Sequence, residues 1–271
     1  MNFKYEYDLN RKKPYSPEEF IELLGNIAEE RWAGIHHPLV QKFLKGDLTK
    51  EQLKIWAIQE FWFYKGPSYW SAAEAANAPT LIDQQILMDP LVTEMGTGEK
   101  ESHVSLYIRF CKALGATEDE IYNTPLLPGT VSAVMEFYNI CKYLPLPEAL
   151  AAEKIAGENV NKIRHEKYVA AYQKYYTFVP KDAMIFHAEH VEEDVGHTQI
   201  GQYLVKKYCT SKEGQNRMWE AEARFLALQW VLYDAIYRVA VDHEDVPSFK
   251  VSQFFPLPYF DTNDIPVPKF D

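Results

Sequence analysis

Apolar residues recur every three or four positions along most of the chain, and they almost never alternate with a period of two. This spacing predicts amphipathic α-helices. Three segments open with Ser or Thr followed three residues later by Glu or Gln, the pattern of an N-terminal capping box. They begin at Ser16, Thr49 and Thr117. The pattern therefore predicts an all-α fold, a single-domain bundle of about seven or eight helices.

Three of the predicted helices are long enough to cross a domain, and they cover residues 147–176, 181–208 and 211–241. We expect residues 1–15 to form an N-terminal arm and residues 16–245 to form the helical domain. Residues 246–271 form a tail in which prolines are interleaved with Phe and Tyr, so a helix is excluded there. An extended strap and simple disorder both fit this tail.

Composition narrows the class of protein. The 271 residues are 47% hydrophobic and 14% aromatic, a globular profile that suits an aromatic-walled interior. A net charge of −11 without a run of Lys or Arg argues against nucleic acid as a partner. No apolar stretch reaches the roughly 20 residues that span a bilayer, and the first residues do not resemble a signal peptide. Three widely spaced cysteines predict reduced thiols in a cytoplasmic protein.

The segment 186–197 carries the clearest chemical pattern. On a helix, His190, Asp194 and His197 fall within an arc of about 60°, so their side chains can point towards one bound ion. Two imidazoles and a carboxylate suit a redox-active metal such as iron or manganese.

Two further places supply similar donors. Glu94 and His103 flank a Gly-rich turn, and Glu158 follows small residues that would let another helix approach closely. Because metal sites in helical bundles draw ligands from facing helices, we combine these donors into one set. The predicted metal ligands are Glu94, His103, Glu158, His190, Asp194 and His197. Such a set could bind two irons and deliver two electrons to O2, so oxidation is expected rather than hydrolysis.

This order of donors resembles the haem-oxygenase-like di-metal oxidases and oxygenases, a helical superfamily that includes the chlamydial-type para-aminobenzoate synthase. Residues 36–38, 46–52 and 110–115 are similar to landmarks of pyrroloquinoline-quinone synthase, and the resemblance covers about residues 16–240. It implies two iron ions, or iron with manganese, no haem, and O2 as co-substrate. A peroxo-level intermediate would act on a small amino-acid-like or carboxylate substrate within a biosynthetic pathway. The resemblance also implies a homodimer and allows an external electron donor.

Departures from those relatives refine the expectation. The loop between Glu94 and His103 is about two residues longer than in the aminobenzoate branch, so Glu99 or Glu101 is an alternative first carboxylate. Val40 stands where that branch carries a sacrificial Tyr, which argues against self-sacrificing synthesis. His190 supplies a donor that the metal-free quinone synthase lacks, and this favours the metal-dependent group.

Five other residues are candidates for the pocket or for contacts to the ligands. His187 lies three residues before His190. It either donates a hydrogen bond to a metal-ligating side chain or is a packing residue. His37 could be a helix cap or a pocket acid. Tyr168 and Tyr172 share a face and could contact substrate, although lining the core is the default. Glu60 could face the pocket or could be solvated.

Two other functions fit the pattern. A metal-free oxidase similar to pyrroloquinoline-quinone synthase would use the same histidines to bind substrate and O2. A non-enzymatic helical binding protein would use the polar face only to cap a core. No catalytic residue beyond the metal ligands is expected in the leading hypothesis.

Overall fold

A computed structural model of the chain describes residues 3–97 and 100–250, and within helix α12 it does not describe the side chains of residues 192–195. Every regular element in this part of the chain is a helix, apart from an isolated antiparallel bridge between Leu126 and Phe249. The all-α prediction is confirmed. None of the helices described is long and apolar enough to cross a membrane.

The helices are divided more finely than the seven or eight expected, because short helices of one or two turns form at the bends. In chain order they are α1 Pro17–Arg31, α2 Ala33–His36, α3 Pro38–Lys45, α4 Lys50–Tyr64, α5 Pro67–Ala76, α6 Leu81–Met95, α7 His103–Ala113, α8 Glu118–Asn123, α9 Pro128–Tyr143, α10 Leu146–Leu150, α11 Asn159–Tyr175, α12 Ile185–Tyr208 and α13 Lys212–Ala240. A π-helix, Ala151–Glu158, joins α10 to α11, and a 3-10 turn, Lys181–Met184, precedes α12.

All three predicted capping boxes are present. The side chains of Ser16, Thr49 and Thr117 each accept a hydrogen bond from the backbone N–H three residues ahead, and the acidic or amide side chain there bonds back. Each box satisfies two backbone N–H groups that the first helical turn leaves unpaired. Local sequence therefore fixes the starts of α1, α4 and α8.

Helix α10, the π-helix and α11 form one continuous helical rod. It runs from Leu146 to Tyr175, close to the predicted 147–176, but its middle is wound as a π-helix. A π-helix often marks a functional site. Helix α12 approaches this segment very closely at Gly201, where an added Cβ would lie 2.2 Å from the Cβ of Lys154. Glycine there lets the backbone of α12 lie against the π-helix.

The core is rich in aromatic side chains. Phe137 of α9 contacts Phe63, Trp70 and Phe225, with ring centroids 4.4 to 5.3 Å apart. These contacts join α4, α5, α9 and α13, while α12 packs against the π-helix and the α11 part of the rod. The metal-ligand candidates lie where α6, α7, the rod and α12 meet.

The N-terminal arm packs against α13. Tyr7 is buried and stacks on Trp219 with centroids 5.1 Å apart, and Arg11 donates to the side chains of Gln215 and Asn216. The predicted tail from residue 251 onward lies outside the described residues, so its strap-like packing stays a prediction. Cys111, Cys141 and Cys209 are buried free thiols.

Candidate metal centre

A tight reversal brings Glu94 and His103 together. Helix α6 ends at Met95, Gly96 adopts a positive φ of 67°, and the Ser102 side chain caps the start of α7. A side chain on Gly96 would meet the backbone of residues 100–102, so this position requires glycine. As a result Nδ1 of His103 lies 2.9 Å from Oε2 of Glu94.

Helix α12 adds a third donor to this pair. The rings of His190 and His103 have centroids 4.5 Å apart, and one donor atom from each of Glu94, His103 and His190 lies within 4.8 Å of the others. All three side chains are buried, with at most 8% of their surface exposed. Three predicted ligands therefore converge in the interior.

The hydrogen bonds of His190 fix which of its nitrogens can bind a metal. Its Nδ1 lies 2.7 Å from the carbonyl oxygen of Phe186, one turn earlier, and must donate to it. The proton is therefore on Nδ1, and Nε2 presents a lone pair. Burial, with the neighbouring His103, lowers the pKa of His190 well below its ordinary value. His190 is thus neutral, the form in which imidazole binds a metal.

A second group of donors lies on the π-helix and further along α12. Nδ1 of His197 is 3.4 Å from Oε1 of Glu158, and Oε2 of Glu158 has no hydrogen-bond partner among the described residues. Burial acts to raise the pKa of Glu158, but the charge of Lys154 and contact with His197 outweigh it and lower that pKa. Glu158 is therefore a carboxylate with one oxygen available to a ligand.

Lys154 was not anticipated from the sequence. Its ammonium is fully buried, 2.8 Å from Oε1 of Glu158 and 2.9 Å from Oε1 of Glu153. Glu74 lies in the same cluster, and burial raises its pKa to about 7. One cation therefore offsets several buried carboxylates. Lys154 is one helical turn before Glu158, and this i, i+4 spacing could have found it.

The two donor groups share a cavity of about 60 Å³. Its polar lining comes from Glu94, Glu153, Glu158, Asn161, Arg164 and His190. Its walls are apolar and mostly aromatic, with Trp32, Phe63, Tyr64, Pro67, Trp70, Gly157, Phe137 and Phe225. Donors and apolar walls around one space are typical of a small-molecule site.

An arginine and two histidines form a buried chain of hydrogen bonds beside the candidate metal ligands. Arg164 donates to Nε2 of His165 at 2.7 Å, so the proton of neutral His165 is on Nδ1 and is donated to Nδ1 of His187 at 2.9 Å. The His165 ring also stacks on His190 at 4.7 Å. His187 therefore contacts His165, which in turn stacks on the candidate ligand His190. His165 and Arg164 were both missed, although His165 lies two helical turns after Glu158.

Glu60, Tyr168 and Tyr172 lie around a separate cavity of about 10 Å³, which His187 also lines. Glu60 is buried and accepts hydrogen bonds from Tyr107 and Tyr233, and burial raises its pKa. The solvated alternative for Glu60 is therefore wrong, because its carboxyl group is enclosed by aromatic residues. The Tyr168 hydroxyl donates to the carbonyl of Gly34.

His37 lies away from both cavities. Its Nδ1 accepts from the backbone N–H of Leu39, which caps α3, and its Nε2 lies 3.0 Å from Asp234. Nδ1 therefore caps α3, and Nε2 links this helix start to α13. The structure places His37 as a helix cap, the first of the two readings that its sequence position allowed.

The alternative first carboxylates differ from Glu94 in position. Glu101 is exposed and pairs with Arg109, whereas Glu94 is buried beside His103. Glu99 and the side chain of Asp194 lie outside the described residues. Glu189, which is more than a third exposed, approaches Nε2 of His103 to 3.9 Å and is a further carboxylate near the centre.

The donor set fits iron. Carboxylate oxygen and neutral imidazole nitrogen are the ligands of non-haem iron. Glu158, whose Oε2 has no hydrogen-bond partner among the described residues, and His190, whose Nδ1 carries the proton, both line the cavity. A profile of a protein family described as iron-containing redox enzymes matches residues 55–230, a range that contains all six predicted ligands. The chain belongs to this family.

Curated proteins similar to this chain include two kinds of synthase. It is 24% identical over 222 residues to a pyrroloquinoline-quinone synthase of Klebsiella pneumoniae, covering 82% of this chain and 87% of that one. It is 28% identical over 229 residues to a 4-aminobenzoate synthase of Nitrosomonas europaea, covering 80% and 91%.

A solved structure agrees on the fold. A domain with a haem-oxygenase-like fold from Shewanella denitrificans superposes with a TM-score of 0.66 at 16% identity, covering 84% of this chain and 93% of that one. The resemblance noted from the sequence is therefore confirmed for family and fold.

Proposed function

We propose that this member of the iron-containing redox enzyme family is a non-haem di-metal oxidase or oxygenase. It would use O2 to oxidise a small substrate that bears a carboxylate or an amine. The observation that carries this proposal is the convergence of donor atoms from Glu94, His103 and His190 within 4.8 Å in a buried site. A set of two neutral nitrogens and one anionic oxygen suits iron or manganese.

The proposed ligands divide into two groups. Glu94, His103 and His190 would hold one ion, and Glu158 and His197 would hold the other together with Asp194. Asp194 enters on its position in the sequence, because it lies four residues after His190 and three before His197 on α12. Bound ferrous ions would supply the electrons for reduction of O2.

The residues of the chain itself would orient and enclose the reaction. Phe186 holds the His190 ring through its carbonyl oxygen, and the stacked His165 ring limits rotation of His190. The buried ammonium of Lys154 keeps Glu158 ionised, because its positive charge stabilises the adjacent carboxylate. Aromatic walls exclude water, which protects reactive oxygen species from unproductive proton transfer. A homodimer and an external electron donor stay predictions.

A metal-free oxidase is the second candidate, and the Lys154–Glu158 ion pair favours it. An internal ammonium 2.8 Å from the proposed ligand already balances part of its charge. The similarity to a pyrroloquinoline-quinone synthase also fits that reading. In this case His103, His165 and His190 would bind substrate and O2 directly.

Metal analysis separates these candidates. Protein produced with added iron and purified without chelators is expected to hold about two metal ions per chain, as a pair of ligand groups requires. E94Q and H190A should each lose at least half of the metal and should abolish the absorbance change seen when the ferrous protein meets O2. E101Q and H36A are matched controls, because Glu101 and His36 lie outside the cluster of ligands.

Well under one metal ion per chain in the parent protein, with no absorbance change on mixing with O2, would sink the di-metal proposal. Full metal content in both E94Q and H190A would show that Glu94 and His190 are not metal ligands.

A further inference from the structure

Arg164 is a buried cation at the wall of the cavity that holds the candidate ligands. It lies on α11, six residues after Glu158, and only 4% of its surface is exposed. Its guanidinium donates to His165 and lies 5.6 Å from the ring centroid of Tyr64 and 5.8 Å from that of Tyr168. These contacts orient the group without neutralising it.

No carboxylate forms an ion pair with Arg164 in the part of the chain that the structure describes. Arg217 and Arg238 lie at the surface and pair with Glu148 and Glu244. Nε of Arg164, in contrast, has no hydrogen-bond partner among the described residues. A buried charge without an opposite partner is costly, and proteins usually provide one.

The guanidinium nevertheless stays charged. Burial acts to lower the pKa of Arg164, but the surrounding hydroxyl groups of Tyr64, Tyr233 and Tyr168, together with Glu60, raise it above its ordinary value. Arginine is protonated at every pH at which the protein would be folded. The residues that line the cavity therefore include a permanent positive group as well as the metal-ligand candidates.

We propose that Arg164 binds the carboxylate of the substrate and thereby selects a small acid with an apolar body. This inference rests on the proposed function, because it places the substrate in the cavity of the candidate metal centre. The planar fork of a guanidinium matches a carboxylate with two parallel hydrogen bonds. Trp70, Phe137 and Phe225 would contact the apolar body of the acid.

The positions of the acidic groups favour an anion over an amine at this wall. Glu94, Glu153 and Glu158 also line the cavity, and a substrate ammonium would be drawn to them and repelled by Arg164. A carboxylate bound at Arg164 would leave the rest of the substrate in the cavity that Glu94 and His190 also line. The guanidinium would thus position the substrate and would not itself react.

Binding of matched probes tests the proposal. The probes are phenylacetate and hexanoate, their neutral amides, and phenethylamine as a cation, measured by titration calorimetry and by the fluorescence of the full-length protein. Trp32 and Trp70 line the cavity, so a bound probe should change their emission. At least one acid should bind about tenfold or more tightly than its amide, because charge-assisted bonds to a buried guanidinium are strong.

Variants of Arg164 then assign the preference. R164Q should bring the ratio of acid to amide affinity close to one, and R164K should weaken acid binding about tenfold, since an ammonium lacks the planar fork. R109Q is the matched control, because Arg109 lies away from the cavity and pairs with Glu101. R164K keeps a cation at the site and decides the question if R164Q fails to fold.

Each measurement is made on iron-loaded protein and again after chelation, with metal content recorded. An acid preference that survives chelation and disappears in R164Q supports the role of Arg164. A preference that disappears on chelation and persists in R164Q, equal acid binding in R164K and parent, or failure of both acids to bind would overturn it. Absence of metal in the parent protein contradicts the di-metal proposal alone and leaves the binding test intact.

Discussion

Buried neutral histidine makes the protein sensitive to acid, and His187 allows the effect to be calculated. Its side chain is 3% exposed, and burial, with the charge of Arg164, lowers its pKa from 6.5 to about 3. Between these two pH values the unfolded chain binds a proton that the folded protein does not. The free energy of unfolding therefore falls as the pH falls below 6.5.

The size of the effect follows from the shift. Each pH unit below 6.5 costs about 1.4 kcal/mol until the folded protein also binds the proton. Acidification from about pH 7.5 to about pH 5.0 should thus remove about 2 kcal/mol through His187 alone. Burial lowers the pKa of His165 and of His190 as well, so both act in the same direction. Buried acids such as Glu60, whose pKa is raised, act in the opposite direction.

The difference between the parent protein and H187Q isolates the contribution of His187. Glutamine has no titrating group and can still accept the hydrogen bond from His165. Urea unfolding of the chelator-treated proteins, followed by circular dichroism and by tryptophan fluorescence, gives the free energy of unfolding at each pH. H187Q should lose about 2 kcal/mol less than the parent over this pH range. Equal losses in the two proteins would refute the buried, neutral state of His187.

Two further predictions concern stability away from the metal centre. Glu222 is fully buried without a hydrogen-bond partner among the described residues, and burial raises its pKa well above 4.5. Because its destabilising effect grows as the pH rises above 4.5, the gain in melting temperature of E222Q over the parent should increase towards pH 8, while E220Q at the exposed Glu220 should show no such trend. A Cβ on Gly129 would lie 2.5 Å from the carbonyl oxygen of Val231, so G129A should cost about 1–3 kcal/mol of unfolding free energy in urea titrations. No described atom lies within 4 Å of a Cβ placed on Gly196, and a G196A variant destabilised as much as G129A would contradict this steric reason.

Patterns within single helices predicted much of the fold and part of the site. The capping boxes at Ser16, Thr49 and Thr117 form as expected, because a cap depends on residues within one turn. His190 and His197 were found from their spacing on one helix for the same reason. Glu94 and His103 required a loop to fold back, and the structure brings them to 2.9 Å.

Residues whose role depends on burial were not found. Lys154 and Arg164 were not singled out in the sequence, because their burial depends on contacts between helices far apart in the chain. His165 was overlooked because it stands alone in sequence, although it contacts both His187 and His190. The sequence favoured a solvated carboxylate for Glu60, which is wrong, because the aromatic neighbours of Glu60 enclose it.

The sequence by itself determined the helical fold, the family and the chemical types of the candidate ligands. Hydrophobic spacing, capping and donor spacing are properties of short segments, and they act before any two helices meet. Only the tertiary structure decided which charges lose their water. Packing of the π-helix against α12 and α13 buries Lys154 and Glu158, and Arg164 is buried on α11 at the cavity that Glu158 also lines. Desolvation there strengthens each electrostatic interaction, because water no longer screens the charges, and this effect depends on contacts between segments far apart in the chain.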